Sequence, residues 1–69
     1  SGSPEAVAAL RRLLKDPERW ARGAAAVALK RLGPLAAEAA EDLDALKDDP
    51  DAWVRDVAER AAKEVRKAR

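Results

Sequence analysis

The sequence predicts an all-α protein built as four antiparallel helices in two stacked helical hairpins. Three observations carry this expectation. Proline and glycine punctuate the chain at regular places, apolar residues recur at helical spacing, and the second half of the chain repeats the first. No segment alternates in the manner of a strand, and valine is the sole β-branched residue type.

The leading Ser1-Gly2-Ser3 reads as an expression remnant, set apart from a single four-helix domain over 4–69. Ser3 is still placed to cap the first helix. Pro4 follows it and suits a first helical turn, where a missing N–H costs nothing. Pro17, Pro34 and Pro50 suit the same position, with Asp16 and Asp49 standing before two of them as N-caps. Gly33, between Leu32 and Pro34, marks a stop, a turn and a restart. Helices are therefore expected at 4–15, 17–32, 34–47 and 50–68, forming hairpins 4–33 and 34–69. Val7, Leu10, Leu13 and Leu14 stripe the first, and Trp20, Ala24, Val27, Ala28 and Leu32 the second. Leu35, Ala39, Leu43 and Leu46 stripe the third, and Trp53, Val57, Ala61 and Val65 the fourth. Connections of two or three residues make consecutive helices antiparallel neighbours.

The repeat pairs Leu10 with Leu43, Leu13 with Leu46, Asp16 with Asp49, Pro17 with Pro50, Trp20 with Trp53 and Arg22 with Arg55. In all, 11 of 36 aligned pairs are identical. Alanine bias accounts for some of these matches, but not for an ordered Leu-Asp-Pro-Trp-Arg series. At these residues the chain resembles the HEAT-repeat family, especially its short, regular branch. Those repeats place an Asp-Pro turn before a second helix that carries Val-Arg and then Ala. Here the pattern stands as Asp49-Pro50-Asp51-Ala52-Trp53-Val54-Arg55 followed by Ala58. The earlier copy is Asp16-Pro17-Glu18-Arg19-Trp20-Ala21-Arg22 followed by Ala25, with Ala21 in the family's Val position. The resemblance implies paired antiparallel helices and a family habit of binding proteins on a concave face, with no specific binding residue carried over. Two copies are fewer than the three or more that solenoids need, so an open α-solenoid fragment and a compact four-helix bundle both fit.

Composition narrows the function classes. Eleven residue types occur, and Thr, Asn, Gln, Tyr, His, Cys, Met, Phe and Ile are missing. Helix formers and simple charges make up most of the chain, the pattern of a de novo designed sequence. Catalysis needs an activated nucleophile, a tuned acid or base, a metal or a cofactor cradle. Serine occurs only at Ser1 and Ser3, no Gly-rich phosphate loop is present, and short loops leave the charged residues no cleft. No catalytic, cofactor or metal site is expected, and no small-molecule substrate. The net charge of +1 gives no general attraction to nucleic acid, and no apolar run approaches the roughly 18 residues that span a bilayer. Nothing sets a compartment beyond a soluble chain, cytoplasmic in an expressing host.

Charge is divided along the chain. Residues 1–33 carry seven basic and three acidic side chains, net +4; residues 34–69 carry seven basic and ten acidic, net −3. Hairpins stacked in register would bring Arg11 to Asp44, Lys15 to Asp48 and Arg31 to Glu64, each exposed pair contributing about 0–1 kcal/mol. The same complementarity could join separate chains. Asp56–Arg60 and Glu59–Lys63 have i,i+4 spacing within the last helix. The acids of the third helix read as a solvated face, and Arg66-Lys67-Ala68-Arg69 as cations at a helix C-terminus.

Trp20 and Trp53 are the candidate anchors, as core residues, as the centre of an interface, or least plausibly as a ligand platform. Leu14 and Val27 join them because the second copy has Lys47 and Arg60 at those positions. Either the second hairpin or another subunit covers them. Leu, Val and Trp together number fifteen, a thin core for four helices, so self-association is expected, with a cyclic homo-oligomer and by default a dimer. The sequence thus reads as a designed, self-assembling scaffold; the alternative is a monomeric protein- or peptide-binding module.

Overall fold

Ser3 opens the first helix as its sequence position predicts. Its hydroxyl accepts from the backbone N–H of Ala6 at 3.1 Å, Pro4 fills the first turn, and α1 runs Pro4–Leu13. The computed structural model describes residues 2–68; Ser1, in the stretch expected as an expression remnant, and Arg69, among the expected C-terminal cations, lie outside them. After α1 come α2 (Arg19–Leu32), a 3₁₀ segment (Gly33–Ala39), α3 (Ala40–Asp44), a second 3₁₀ segment (Ala45–Asp48) and α4 (Ala52–Val65). No strand occurs among the described residues.

The four expected helices are three. α1, α2 and α4 each run ten residues or more, whereas the expected helix over 34–47 is broken into 3₁₀, one five-residue α-turn and 3₁₀ again. Sequence chemistry explains the break. Gly33 ends α2 at φ 59°, a left-handed value that glycine adopts without a Cβ penalty. Pro34 follows with no side-chain cap before it, and Ala36 departs from helical angles at φ −108°, ψ 28°. Farther on, Glu41, Asp42, Asp44 and Asp48 put negative charge toward the C-terminal end, against the macrodipole, and Asp is itself a weak helix former.

Both Asp-Pro turns also start their helices two residues later than expected. Asp16 and Asp49 are not N-caps. The Asp49 backbone is extended at ψ 141°, as a residue before proline prefers. Its carboxylate accepts the N–H of Asp51 two residues on, at 3.0 Å, and Asp16 does the same for Glu18 at 2.8 Å. Proline thus sits in the turn, and the cap passes to Glu18 and Asp51. Asp51 makes a true cap bond to the N–H of Val54 at 3.0 Å, while Glu18 makes none. Five residues, 14–18, connect α1 to α2 instead of two or three.

α2 packs most extensively on α4, and these two helices form the spine. α1 lies along α2, and the broken segment lies along α4. Alanine governs the spine: Ala25, Ala26, Ala58, Ala61 and Ala62 are all buried and let the backbones approach closely. Leu14, Leu29, Leu43, Val7, Val54 and Val65 fill the space around them. The accessible surface of 4394 Å² is near the roughly 4,200 Å² that size scaling gives a folded 7.4 kDa chain.

Candidate functional site

The arrangement that repeats is a docking face, and the chain contains it once filled and once open. In the filled copy, the second hairpin lies on the first. The Trp53 ring covers Gly23 so closely that a Cβ built there would overlap its Cζ3, Cη2 and Cε3 atoms. Leu43, Leu46, Val54 and Ala58 of the second copy are buried in the core cluster.

An arginine clamp fixes the register. Arg22 donates through Nε to Asp49 Oδ1 at 2.7 Å and through Nη2 to Oδ2 at 3.1 Å. Its Nη1 donates to the carbonyls of Asp16 and Pro17, both at 2.9 Å. Asp49 is the one buried charged side chain among the described residues, 4% exposed, and the guanidinium hydrogen bond holds its carboxyl below the usual carboxylate range against the opposing effect of burial. Arg19 reaches Asp51 at 3.4 Å. Asp42 takes both Arg11 at 2.6 Å and Lys15 at 3.2 Å, and is likewise held below its ordinary value, chiefly by Arg11.

These pairs join the basic hairpin to the acidic one, but not in the expected register. Arg11 and Lys15 meet Asp42 in place of Asp44 and Asp48. Asp44 instead binds Arg66 through two bonds, at 2.5 and 2.9 Å, and Glu64 pairs with Lys67 at 2.7 Å in place of Arg31. The broken segment does not stack as a straight helix, so equivalent positions do not fall opposite each other. Within α4, Asp56–Arg60 forms at 3.1 Å, whereas Glu59–Lys63 is not among the ion pairs of the described residues.

The open copy is on the outer side of the first hairpin. Leu10, Leu13, Asp16, Glu18, Trp20, Ala21, Ala24 and Ala25 line a shallow groove there. Their counterparts in the second copy are Leu43, Leu46, Asp49, Asp51, Trp53, Val54, Val57 and Ala58, the docking set of the second hairpin. Trp20 is 66% exposed and Leu13 42%. No cation pairs with Asp16 among the described residues.

The candidate anchors therefore part company. Leu14, 1% exposed, belongs to the core cluster; Val27 is half-buried. Trp53 lies across Gly23 yet stays 48% exposed, and Trp20 is 66% exposed on the open groove. The clamp was not anticipated from the sequence. Its signal was present as an Asp and an Arg six residues apart in both copies: Arg55 donates to the Asp49 carbonyl at 2.6 Å just as Arg22 does to that of Asp16.

Among the described residues, no group of three or more Asp or Glu is placed to hold a metal ion, and no helix is long and apolar enough to cross a membrane. A family model described as HEAT repeats matches residues 1–63. Comparisons with curated proteins and with solved structures gave no match.

Proposed function

We propose that this chain, which belongs to the HEAT-repeat family, is a non-catalytic helical scaffold that associates with copies of itself through the open face of its first hairpin. HEAT repeats are a non-enzymatic helical architecture, and this chain brings no His, Cys, Thr or Tyr to alter that. One observation carries the reading. Five of the eight groove positions of the first hairpin carry the same side chain as their counterparts in the second, and there Trp20 and Leu13 are left in water. Apolar patches of this kind mark association surfaces, and a tryptophan with its neighbours excluding water is the usual centre of one.

The eleven-letter alphabet supports a designed origin for the chain. A natural coding sequence spanning both hairpins would contradict that origin.

Light scattering over a wide concentration range tests the association. The mass should rise from 7.4 kDa to a small multiple of it, and Trp20→Glu should hold it at 7.4 kDa. A wild-type mass of 7.4 kDa throughout would refute self-association. Saturable binding of a helical peptide at that mass would favour the monomeric binding module in its place.

A further inference from the structure

The arginine clamp is closed once inside the chain, and its two halves stand again, apart, at the two ends of the molecule. Asp16, the counterpart of Asp49, lines the open groove of the first hairpin and pairs with no cation among the described residues. Arg55, the counterpart of Arg22, lines a groove between the broken segment and α4 and pairs with no carboxylate among them. Arg55 is nevertheless held as Arg22 is. Its Nη1 donates to the Asp49 carbonyl at 2.6 Å, as Arg22 Nη1 donates to the Asp16 carbonyl at 2.9 Å. In Arg22 this leaves Nε and Nη2 to grip the Asp49 carboxylate. Arg55 is exposed and presents the same edge to solvent.

The two grooves are opposite in charge. Asp16 and Glu18 line the open one, with no base beside them. The far groove, about 760 Å³, has four basic and three acidic side chains along it. Arg66 is taken by Asp44, and Asp56 by Arg60, which leaves Lys47, Arg55 and Lys63 against Glu59 alone. An acidic face and a net-positive groove attract each other, whereas two open faces would meet acid to acid.

The internal joint shows which other side chains would touch. Trp20 comes to Asp56, where Trp53 has Gly23. A carboxylate then stands where a missing Cβ makes room for the ring, so Trp20 seats less deeply. Arg19–Asp51 becomes Ala52–Glu18 and Arg11–Asp42 becomes Asp44–Ala9, so these ion pairs have no counterpart. The joint between chains is therefore weaker than the one within the chain, and Arg55–Asp16 is its specific contact.

We infer that copies join head to tail, the open face of one chain lying on the far groove of the next, with Arg55 of the second chain closing on Asp16 of the first. This rests on the self-association reading and names the surface of the second copy that fills the open face. A heterologous joint of this kind runs on as a stack or closes into a ring, and does not stop as a two-fold dimer.

Sedimentation equilibrium on full-length chains, each first shown to be helical by circular dichroism, tests it. The wild-type mass should rise from 7.4 kDa with concentration and pass twice that value. Asp16→Arg and Arg55→Asp should each hold the mass at 7.4 kDa, and the chain carrying both should rise again, because the pair then forms with its charges exchanged. Should either reversal lose its helical signal, Asp16→Asn and Arg55→Gln read the same pair, each moving the rise to a concentration about tenfold higher. Asp56→Gly gives Trp20 the seat that Trp53 has and should move the rise about tenfold lower. A wild-type rise that Asp16→Arg stops and Arg55→Asp does not, or one that levels at twice 7.4 kDa, overturns the head-to-tail joint while self-association stands. Single reversals that stop the rise without rescue by the double one overturn the Arg55–Asp16 pair. A wild-type chain that stays at 7.4 kDa throughout overturns self-association, and the joint with it.

Discussion

Replacing Asp49 with alanine removes three hydrogen bonds at once, and the chain carries its own control. The Asp49 carboxylate accepts from Arg22 Nε at 2.7 Å, from Arg22 Nη2 at 3.1 Å and from the N–H of Asp51 at 3.0 Å. The carboxylate of Asp16, its counterpart one repeat earlier, accepts the N–H of Glu18 at 2.8 Å and, among the described residues, pairs with no cation. Losing one backbone-to-side-chain bond costs about 1 kcal/mol. Removing one partner of a buried ion pair costs about 3–5 kcal/mol, since the other charge is left behind. Arg22 keeps its two carbonyl acceptors and is 13% exposed, which places Asp49→Ala at the low end, about 3 kcal/mol. Asp16→Ala should cost about 1 kcal/mol. The difference of about 2 kcal/mol is the value of the inter-hairpin clamp. Urea denaturation followed by far-ultraviolet circular dichroism reads both, at a concentration where the mass is that of one chain. The midpoint should fall much farther for Asp49→Ala, with the slope unchanged. Equal shifts for the two variants would refute the claim that the clamp, and not the local turn, joins the hairpins.

Three further outcomes follow from the same geometry. Trp53→Ala should cost about 1–2 kcal/mol, half of what full burial of a large apolar side chain gives, whereas Trp20→Ala should stay within about 0.5 kcal/mol in the monomer; equal losses would mean that the rings share one environment. Gly23→Ala should displace the Trp53 ring and red-shift its emission, with a net loss of about 1–2 kcal/mol because overpacking outweighs the roughly 1 kcal/mol that alanine gains in a helix; an unshifted spectrum with higher stability would contradict the contact. Because the carboxyls of Asp42 and Asp49 are held below their ordinary values, their contribution is fully present above about pH 4 and is lost as pH falls through the lowered folded values. With no histidine, the melting temperature should be flat from about pH 5 to 8. A melting temperature that rises on acidification below about pH 4 would reverse the sign and refute the pairing.

Much of the architecture was legible in the chain because local chemistry and repetition agree. Ser3 and Pro4 announce α1, Gly33 ends α2, and the ordered match from Leu10–Leu43 through Arg22–Arg55 pairs the hairpins. What escaped depended on tertiary competition. An Asp-Pro step reads equally as cap and first turn or as an Asx turn, and the clamp from Arg22 favours the second. Alanine-rich 34–47 has high helix propensity, yet lack of a cap, the kink at Ala36 and packing on α4 break it. The two tryptophans follow the same Asp-Pro turn and precede the same Arg by two residues, so the repeat pattern does not separate them. They differ in exposure and setting: Trp53 lies over Gly23 at 48% exposed, and Trp20 lines the open groove at 66% exposed. The fate of Leu14 was open for the same reason, and the fold places it in the core cluster.

The most direct test of association through the open face is fluorine NMR of the protein carrying 5-fluorotryptophan, with Trp20→Phe used to assign the two lines. On raising the concentration, the Trp20 resonance should move as its ring leaves water, while the Trp53 resonance, already seated on Gly23, should stay in place. Two stationary lines, or movement of the Trp53 line alone, would contradict the account.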